Sequence, residues 1–266
     1  MNPARVLKEK VASGQLTTGL LAIDHIWPDL VEISMRAGLD YLIVDMEHSC
    51  AGPDLVAEVC ATGRRAGFPV LVRPRSNDYA KLRLAVDLGP CGFLLACVES
   101  ATDLDTVREA IYLPPRGKRR PGGMGNRWVS ELDATSWRTE FEDDFIVLPQ
   151  IETKAAMKHV KAIGAHEVTT AVAIGPYDLS AELGVCGDMD SPVLREALHA
   201  IRADALSVGK TTWMIGSNAA QLASDGWKFL CIGEPTWVLI SAIKDKLTQV
   251  RAAMPGASGK SGHYAG

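Results

Sequence analysis

Short runs of consecutive apolar residues alternate along this chain with longer segments in which apolar residues recur every three or four positions. The runs lack polar alternation, which is typical of strands buried on both faces of a parallel sheet. The predicted strands cover residues 18–23, 41–45, 69–73, 92–97, 145–151, 169–174, 211–215 and 229–232. The predicted helices cover residues 4–15, 28–37, 53–66, 78–88, 103–112, 129–140, 154–163, 178–183, 192–208, 219–224 and 236–253.

This alternation of strands and helices predicts an α/β protein, a (β/α)8 TIM barrel formed as a single domain by residues 1–266. Such a barrel needs about 250 residues, and the chain has 266. The helix at 4–15 would plug or cap the bottom of the barrel, and the Gly/Ser-rich tail at 255–266 is expected to be flexible. A doubly wound open sheet is the alternative, but the expected glycine-rich fingerprint is replaced here by the sequence of residues 24–28.

Composition excludes several classes of function. Hydrophobic residues make up 47% of the chain, enough for a large core, and the net charge of −4 argues against binding of nucleic acid. No apolar run approaches the roughly 18 residues of a membrane span, and the first residues lack a secretion signal, so a cytoplasmic protein is expected. The six cysteines form no C-x-x-C pair, which favours reduced structural thiols.

Polar residues follow the predicted strands, where a barrel of this kind collects its catalytic groups. Glu152 follows the fifth strand and Asp178 the sixth. If these strands are neighbours, the two carboxylates share a pocket and repel each other unless a cation or a proton lies between them. Without Cys or His partners they suit Mg²⁺ or Mn²⁺ best, with Co²⁺ or Zn²⁺ also compatible. A 2-oxo acid would complete the coordination shell, and the ion would polarise its keto oxygen.

His48 and Arg73 follow the second and third predicted strands. A histidine in this place is the natural general base near neutral pH, although loop histidines often have only a structural role. Arg73 offers a permanently charged, forked donor to an enolate oxygen. Alternatively, Arg73 simply pairs with Asp45 or Glu47.

Two sets of basic residues bear on the chemistry. A Schiff-base mechanism needs a lysine at a strand end, but the candidate lysines fall on predicted helices: Lys81, Lys154 and Lys158. The long irregular stretch after residue 114 carries a cluster of cations: Arg116, Lys118, Arg119, Arg120 and Arg127. This cluster is either a solvated flap or a recruiter of an anionic aldehyde, and the two interpretations are equally favoured.

Six segments, taken in order, resemble the HpcH/HpaI aldolase family of class II metal-dependent pyruvate aldolases, which includes 4-hydroxy-2-oxoheptanedioate aldolases. They are Asp45-Met-Glu-His48-Ser, Val72-Arg73-Pro74, Val86-Asp87-Leu-Gly89, Tyr112-Leu-Pro-Pro115-Arg-Gly117-Lys-Arg119, Gln150-Ile-Glu152-Thr and Gly175-Pro-Tyr-Asp178-Leu-Ser. The resemblance runs from about residue 19 to residue 247. It implies a (β/α)8 fold and subunits assembled as hexamers or trimers.

The resemblance also implies a role for each matching residue. Glu152 and Asp178 bind the metal, and Arg73 stabilises the enolate. His48 is the base, and Asp87 raises its basicity. Because Asp87 is predicted at the bottom of its own barrel, it would reach a histidine only across a subunit contact. The pyruvate unit is bound by residues of strands five and six, namely Gln150, Gly175, Pro176, Tyr177 and Asp178.

The function predicted from these residues is that of a divalent-metal-dependent aldolase, a carbon–carbon lyase that acts on 4-hydroxy-2-oxo acids. It would cleave or form the C3–C4 bond through a metal-bound pyruvate enolate, with pyruvate and an aldehyde as products. The alternatives are another enolate-based lyase, decarboxylase or synthase, and a non-catalytic barrel that binds a keto acid. Departures from the family pattern near the mouth leave the aldehyde open: Ala96, residues 119–123, Tyr177 and Trp213.

Overall fold

The computed structural model describes residues 1–216 and 218–254. Eight parallel strands close into a barrel in chain order, with the first strand paired to the last. The strands are β1 (Thr17–Ala22), β2 (Tyr41–Asp45), β3 (Val70–Arg73), β4 (Gly92–Leu95), β5 (Ile146–Ile151), β6 (Val172–Ile174), β7 (Thr212–Ile215) and β8 (Phe229–Cys231). The predicted (β/α)8 fold is confirmed, and the alternative of an open sheet is wrong.

Helices follow the strands around the outside. They are α1 (Asn2–Ala12), α2 (Leu30–Arg36), α3 (Pro53–Ala66), α4 (Tyr79–Asp87), α5 (Asp103–Ile111), α6 (Ala134–Trp137), α7 (Lys154–Met157), α8 (Val160–Ala165), α9 (Pro176–Glu182), α10 (Pro192–Ser207), α11 (Ala219–Ser224) and α12 (Pro235–Ala252). A 3₁₀ turn covers Met124–Trp128, and a π turn over Arg138–Glu142 continues α6. The predicted tail at 255–266 lies outside the described residues.

Two predicted helices differ from those observed. The helix predicted at 154–163 is divided into α7 and α8, since His159 leaves helical geometry with φ −117° and ψ 7°. The helix predicted at 129–140 begins later, at α6. Its start is fixed by Asp133, whose carboxylate accepts the backbone N–H groups of Thr135 and Ser136, as expected of an N-cap.

Large aromatic side chains fill the barrel interior below the strand ends. The indole N–H of Trp213 donates to the hydroxyl of Tyr41 at 2.7 Å, and this hydroxyl donates to the carbonyl of Leu230 at 2.8 Å. The Tyr41 ring packs edge-on against Phe229. On the neighbouring strand a Cβ at Gly19 would lie 2.5 Å from the same ring, so only glycine fits there. Trp213, a departure from the family pattern, therefore belongs to this packed layer.

Helix α1 packs against the amino-terminal end of the barrel with Leu7 and Val11 buried. Arg5 on this helix forms two hydrogen bonds, of 3.0 and 2.9 Å, to the carboxylate of Asp144, which lies just before β5.

Helix α12 contrasts with the rest of the molecule because it hardly packs on its own barrel. Of its eighteen residues only Pro235 is buried. Seven large apolar side chains of this helix are exposed: Trp237, Val238, Leu239, Ile240, Ile243, Leu247 and Val250. Among the described helices none is both long and apolar enough to cross a membrane.

Candidate active site

A cavity of about 1120 Å³ opens at the carboxyl ends of the strands. Seven of the residues predicted for the site line it: His48, Arg73, Gln150, Gly175, Pro176, Tyr177 and Asp178. Glu152 is not among the lining residues; it is 6% exposed and lies directly behind Gln150, which donates a hydrogen bond to its carboxylate. The barrel thus brings residues from four strand ends, spread over 131 positions of sequence from 48 to 178, into one pocket.

Glu152 is held by two hydrogen bonds, one to each carboxylate oxygen. The backbone N–H of Cys97 donates to Oε1 at 2.5 Å, and the side-chain amide of Gln150 donates to Oε2 at 2.6 Å. Cys97 has a φ of +55°, an unusual conformation for a residue other than glycine. Cys97 therefore holds a costly backbone geometry next to the candidate metal ligand, as is common at functional sites.

Gly175 allows Gln150 and Glu152 to approach each other. A Cβ built at Gly175 would lie 2.4 Å from Nε2 of Gln150 and 2.7 Å from Oε2 of Glu152. Both distances are shorter than any normal contact, so a side chain at this position would displace one of the two groups. The glycine of the Gly-Pro-Tyr-Asp segment is therefore explained by the space that its neighbours need.

Negative charge accumulates around Glu152. Burial raises the pKa of this carboxyl, hydrogen bonds from Cys97 lower it, and the carboxylates of Asp178 and Glu47 raise it again, so that the net pKa lies above the usual range. Such mutual repulsion favours a proton or a cation in the pocket. Glu47 was quoted in the sequence motif but was not predicted to contribute its charge here.

The donor set fits a hard divalent cation. Carboxylate oxygens come from Glu152 and Asp178, and the amide Oε1 of Gln150 is buried without a hydrogen-bond partner in the described chain. In the described parts of the chain no three or more Cys, His, Asp or Glu side chains are arranged to hold an ion. Two protein carboxylates with the remaining positions left to water and substrate are a common arrangement for Mg²⁺.

Arg73 is fixed by two carboxylates. Its Nε lies 2.6 Å from Oδ1 of Asp45 and 3.2 Å from Oε2 of Glu47. Burial opposes the charge on Arg73, but Asp45 and Glu47 outweigh it and raise the pKa of the guanidinium. The interpretation that Arg73 pairs with these residues is confirmed, and it does not exclude a catalytic role, because Arg73 also lines the cavity.

Asp45 organises the loop that carries His48. Its fully buried carboxylate accepts the backbone N–H groups of Glu47 and His48, each at 3.0 Å, in addition to the Arg73 bond. The side chain of His48 is 62% exposed at the mouth, with Nε2 3.6 Å from Glu47. Sequence reasoning missed this role of Asp45. Its position as the final residue of an otherwise apolar strand was the available signal.

Asp87 lies away from this pocket. It is the last residue of α4, and its carboxylate accepts a hydrogen bond of 2.9 Å from the fully buried Arg119. The guanidinium of Arg119 lies 5.2 Å above the ring of Trp137. Within one chain, therefore, Asp87 does not meet His48 and instead anchors the long loop.

Much of the basic cluster in the long loop is neutralised by carboxylates. Arg116 pairs with Glu142 at 2.9 Å and with Glu167 at 3.2 Å. Lys118 pairs with Glu109 at 2.8 Å. These pairs, together with the bond between Arg119 and Asp87, favour a structural flap over a surface that recruits anionic aldehydes.

Comparison with known proteins identifies the family. Residues 24–242 match the family model described as HpcH/HpaI aldolase/citrate lyase. The chain belongs to this family. A hydroxypyruvate/pyruvate aldolase of Delftia acidovorans is 30% identical over 257 residues, which cover 94% of this chain and 94% of that protein. A 4-hydroxy-2-oxovalerate aldolase of Novosphingobium aromaticivorans is 26% identical over 97% of this chain and 98% of that protein.

Solved structures agree with this assignment. The crystal structure of an HpcH/HpaI aldolase from Desulfitobacterium hafniense has a TM-score of 0.86 at 27% identity, covering 95% of this chain and 99% of that one. The predicted family is confirmed over most of the chain. As a member of the HpcH/HpaI family with relatives named as aldolases, the protein is a carbon–carbon lyase.

Three residues that depart from the family pattern, Ala96, Tyr177 and Trp213, differ in how accessible they are at the cavity. Trp213 is part of the packed barrel interior, and the carbonyl of Ala96 accepts a hydrogen bond of 2.7 Å from the side chain of Asn77. Trp213 and Tyr177 both line the cavity, but Trp213 is fully buried whereas Tyr177 is 62% exposed. Of these three departures, Tyr177 has the most accessible side chain at the cavity.

Proposed function

We propose that this protein is a class II aldolase that cleaves or forms the C3–C4 bond of 4-hydroxy-2-oxo acids, with pyruvate and an aldehyde as the products. One observation carries the proposal. Asp178 and the unpartnered amide oxygen of Gln150 line the same cavity as His48 and Arg73, and the carboxylate of Glu152 lies directly behind them, bonded to Gln150 and repelled by Asp178. Its relatives include enzymes named as 2-oxo acid aldolases.

Glu152 and Asp178 would hold the divalent ion, with Mg²⁺ or Mn²⁺ preferred and Co²⁺ or Zn²⁺ compatible. When bound there, the ion would supply Lewis acidity at the keto oxygen of the substrate. The neighbouring residues position the 2-oxo acid unit. The amide oxygen of Gln150 has no hydrogen-bond partner in the described chain. Gly175 is the N-cap of α9, so the backbone N–H groups in the first turn of this helix are the second set of donors near the substrate.

Arg73 stabilises the charge that develops during the reaction. Cleavage of the C3–C4 bond leaves its electron pair on the pyruvate fragment, where it is delocalised onto the enolate oxygen. Within the Arg73 side chain, only Nε contacts other described residues, namely Asp45 and Glu47. The two Nη groups are therefore available to the enolate oxygen. Such preorganised donors favour the charged transition state over the neutral ground state.

His48 accepts the proton of the 4-hydroxyl group, directly or through a water. Loss of this proton lets the C4 oxygen form the aldehyde carbonyl as the C3–C4 bond breaks. Glu47 lies 3.6 Å from Nε2 of His48. Return of the proton to C3 of the enolate gives pyruvate and balances the reaction.

The test is release of pyruvate from 4-hydroxy-2-oxo acids, followed with lactate dehydrogenase and NADH. Addition of EDTA should abolish the release, and Mg²⁺ or Mn²⁺ should restore it. Full activity in chelator would contradict the metal-dependent mechanism. A product other than pyruvate would assign the site to another enolate-based lyase, a decarboxylase or a synthase, and binding of keto acid without turnover would indicate a non-catalytic barrel.

A variant of one ligand tests the site directly. Glu152→Gln is nearly isosteric, so the chain should remain folded while titration calorimetry with Mn²⁺ shows loss of binding. The matched control is Glu182→Gln, which removes an exposed carboxylate from α9. Equal affinity of the two variants for Mn²⁺ would reject Glu152 as a ligand.

We also propose that the protein is a homo-oligomer, a hexamer or a trimer, assembled in part through α12. Seven large apolar side chains are exposed on this one helix, and clustered exposed apolar residues commonly mark a contact between protein chains. Contact between copies would bury this surface. It would also give Asp87 a partner subunit, as its proposed role towards His48 requires.

A further inference from the structure

A second cavity, of about 630 Å³, lies at the amino-terminal end of the barrel, far from the catalytic mouth. It is bounded by the last turn of α3 and the 3₁₀ turn over Met124–Trp128. Its charged lining residues are Arg5, Arg64, Arg65 and Glu140. Trp128 forms an aromatic wall and is fixed there, since its indole N–H donates to the carbonyl of Gly89 at 3.0 Å.

Two of the arginines that line this cavity, Arg64 and Arg65, have no acidic partner among the described residues, although Glu140 also lines it. Glu140 accepts hydrogen bonds from the backbone N–H and the hydroxyl of Ser130, both at 2.7 Å. Arg5 is already bound to Asp144. Within residues 1–216 and 218–254, neither Arg64 nor Arg65 forms an ion pair, and neither does the nearby Arg127.

Arg64 is the central group. Its guanidinium lies 5.9 Å above the ring of Trp128. Its Nη1 is buried, and no acceptor in the described chain reaches it. Burial and the neighbouring charges of Arg127 and Arg65 lower the pKa of Arg64. A buried donor without a partner costs stability. The presence of such a donor on Arg64, beside the like charges of Arg65 and Arg127, indicates that an acceptor from outside the chain binds it.

A helix terminus gives a simpler explanation for part of this charge. Arg64 and Arg65 occupy the last turn of α3, where the helix dipole favours cations. The dipole does not account for the buried Nη1 of Arg64. It also does not account for Arg127, which belongs to a different segment and repels Arg64.

We propose that this cavity binds the phosphate group of a small molecule through Arg64 and Arg65, which line it, with the nearby charge of Arg127 adding to the attraction. Arginine presents forked N–H donors that match phosphate oxygens, and the Trp128 ring keeps the guanidinium in place. Because the cavity and the catalytic mouth lie at opposite ends of the barrel, the ligand is an effector or a stabilising anion. It does not compete with the substrate.

The test uses inorganic phosphate and glycerol phosphate as probes at constant ionic strength, with chloride as the compensating salt. Calorimetry and thermal denaturation are measured on the full chain. The variants are Arg64→Met, which keeps the apolar stem on Trp128, and Arg65→Met at the exposed flank. The matched control is Arg36→Met, since Arg36 is an exposed arginine paired with Glu32 elsewhere. We expect Arg64→Met to weaken phosphate binding at least tenfold, Arg65→Met to weaken it less, and Arg36→Met to have no effect.

Thermal denaturation without phosphate separates the two explanations. If Arg64 serves only the helix terminus, Arg64→Met lowers the melting temperature in buffer, and phosphate raises the melting temperatures of this variant and the wild type equally. If the cavity binds phosphate, the variant is at least as stable as the wild type in buffer and gains nothing from phosphate. Absence of saturable phosphate binding to the wild type, or equal binding by the Arg64 and Arg36 variants, would overturn the proposal. Tighter binding of glycerol phosphate than of inorganic phosphate would identify a phosphorylated metabolite as the ligand.

Discussion

The side-chain amide of Gln150, the penultimate residue of β5, donates a hydrogen bond of 2.6 Å to the carboxylate of Glu152, which directly follows this strand. Gln150 lines the cavity, and its bond together with that from the backbone N–H of Cys97 orients the carboxylate before any ion arrives. Preorganisation of this kind avoids reordering the ligands when the metal and the substrate bind.

Gly175→Ala tests the spacing of this pair. The new methyl group would lie within 2.7 Å of both Gln150 and Glu152, so one of them must move. A displacement of about 1 Å at a reacting centre commonly costs about 100-fold in rate, and we expect kcat/KM to fall by that order. Steady-state kinetics and the melting temperature are the measurements.

Gly52→Ala is the matched control, because nothing lies within 4 Å of a Cβ at that position. It should leave kcat/KM unchanged. If Gly175→Ala is equally harmless, the close packing around Glu152 is not required for catalysis.

The lowered pKa of Asp144 should make the free energy of unfolding depend on pH in the acid range. Burial alone would raise the pKa of this carboxyl, but hydrogen bonds from Arg5 and the terminal ammonium group outweigh it and lower the pKa. The carboxylate therefore contributes stability that is fully present above its unfolded pKa of about 3.9 and is lost as pH falls through the lower folded value. Asp144→Asn should lower the free energy of unfolding at pH 7 and reduce its fall with acid.

The neighbouring Asp143→Asn serves as the control for this experiment. Asp143 is half exposed, and its closest cation, Arg138, is 4.0 Å away. Exposed pairs of this kind contribute about 0–1 kcal/mol. Urea denaturation between pH 3 and pH 7 measures both variants, and identical curves would show that Asp144 is not a special site.

Tyr177 should influence which aldehyde the enzyme accepts. Its side chain lies on the cavity wall, one residue before the proposed ligand Asp178. Tyr177→Ala should shift the ratio of kcat/KM values towards bulkier aldehydes by roughly 10-fold or more, the usual range for a pocket of altered size. Tyr177→Phe separates the volume of the ring from its hydroxyl group. No change in the ratio with either variant would exclude Tyr177 as a selectivity residue.

Charges placed on α12 should dissociate the oligomer. Ile240 and Ile243 lie three positions apart on one helix face, and both are exposed. The double substitution of both by Glu should yield folded monomers in size-exclusion chromatography with light scattering, because the helix contributes little to its own barrel. Lys244→Glu is the control for added charge. A monomeric wild type would contradict the proposal of an oligomer.

The periodicity of the sequence was sufficient to predict the barrel, because each strand is a continuous apolar run and each connection carries a helical stripe. It also located Glu152 and Asp178, since parallel strands place their carboxyl ends at one edge. The division of the helix at 154–163 was not predicted. The apolar spacing continues through His159, and the local change in φ and ψ leaves no mark in the pattern.

The roles of Asp45 and Arg119 show where sequence reasoning stops. Asp45 serves Arg73 and the loop of His48 at once, a function that depends on the register of β2 against β3. Arg119 was counted among cations of a surface loop, yet it is fully buried against Asp87 and Trp137. Long-range pairing and burial of a charged side chain follow from tertiary contacts, which one sequence does not display.

The aromatic layer of Tyr41, Trp213 and Phe229 has a kinetic consequence. These side chains are at most 2% exposed and fill the barrel below the pocket, so substrate and products use the mouth at the strand ends. In the proposed reaction the 2-oxo acid unit lies innermost, with the aldehyde between it and solvent. The aldehyde must therefore depart first and pyruvate last. Product-inhibition kinetics for such an ordered release would show that pyruvate, and not the aldehyde, competes with the 4-hydroxy-2-oxo acid for the free enzyme.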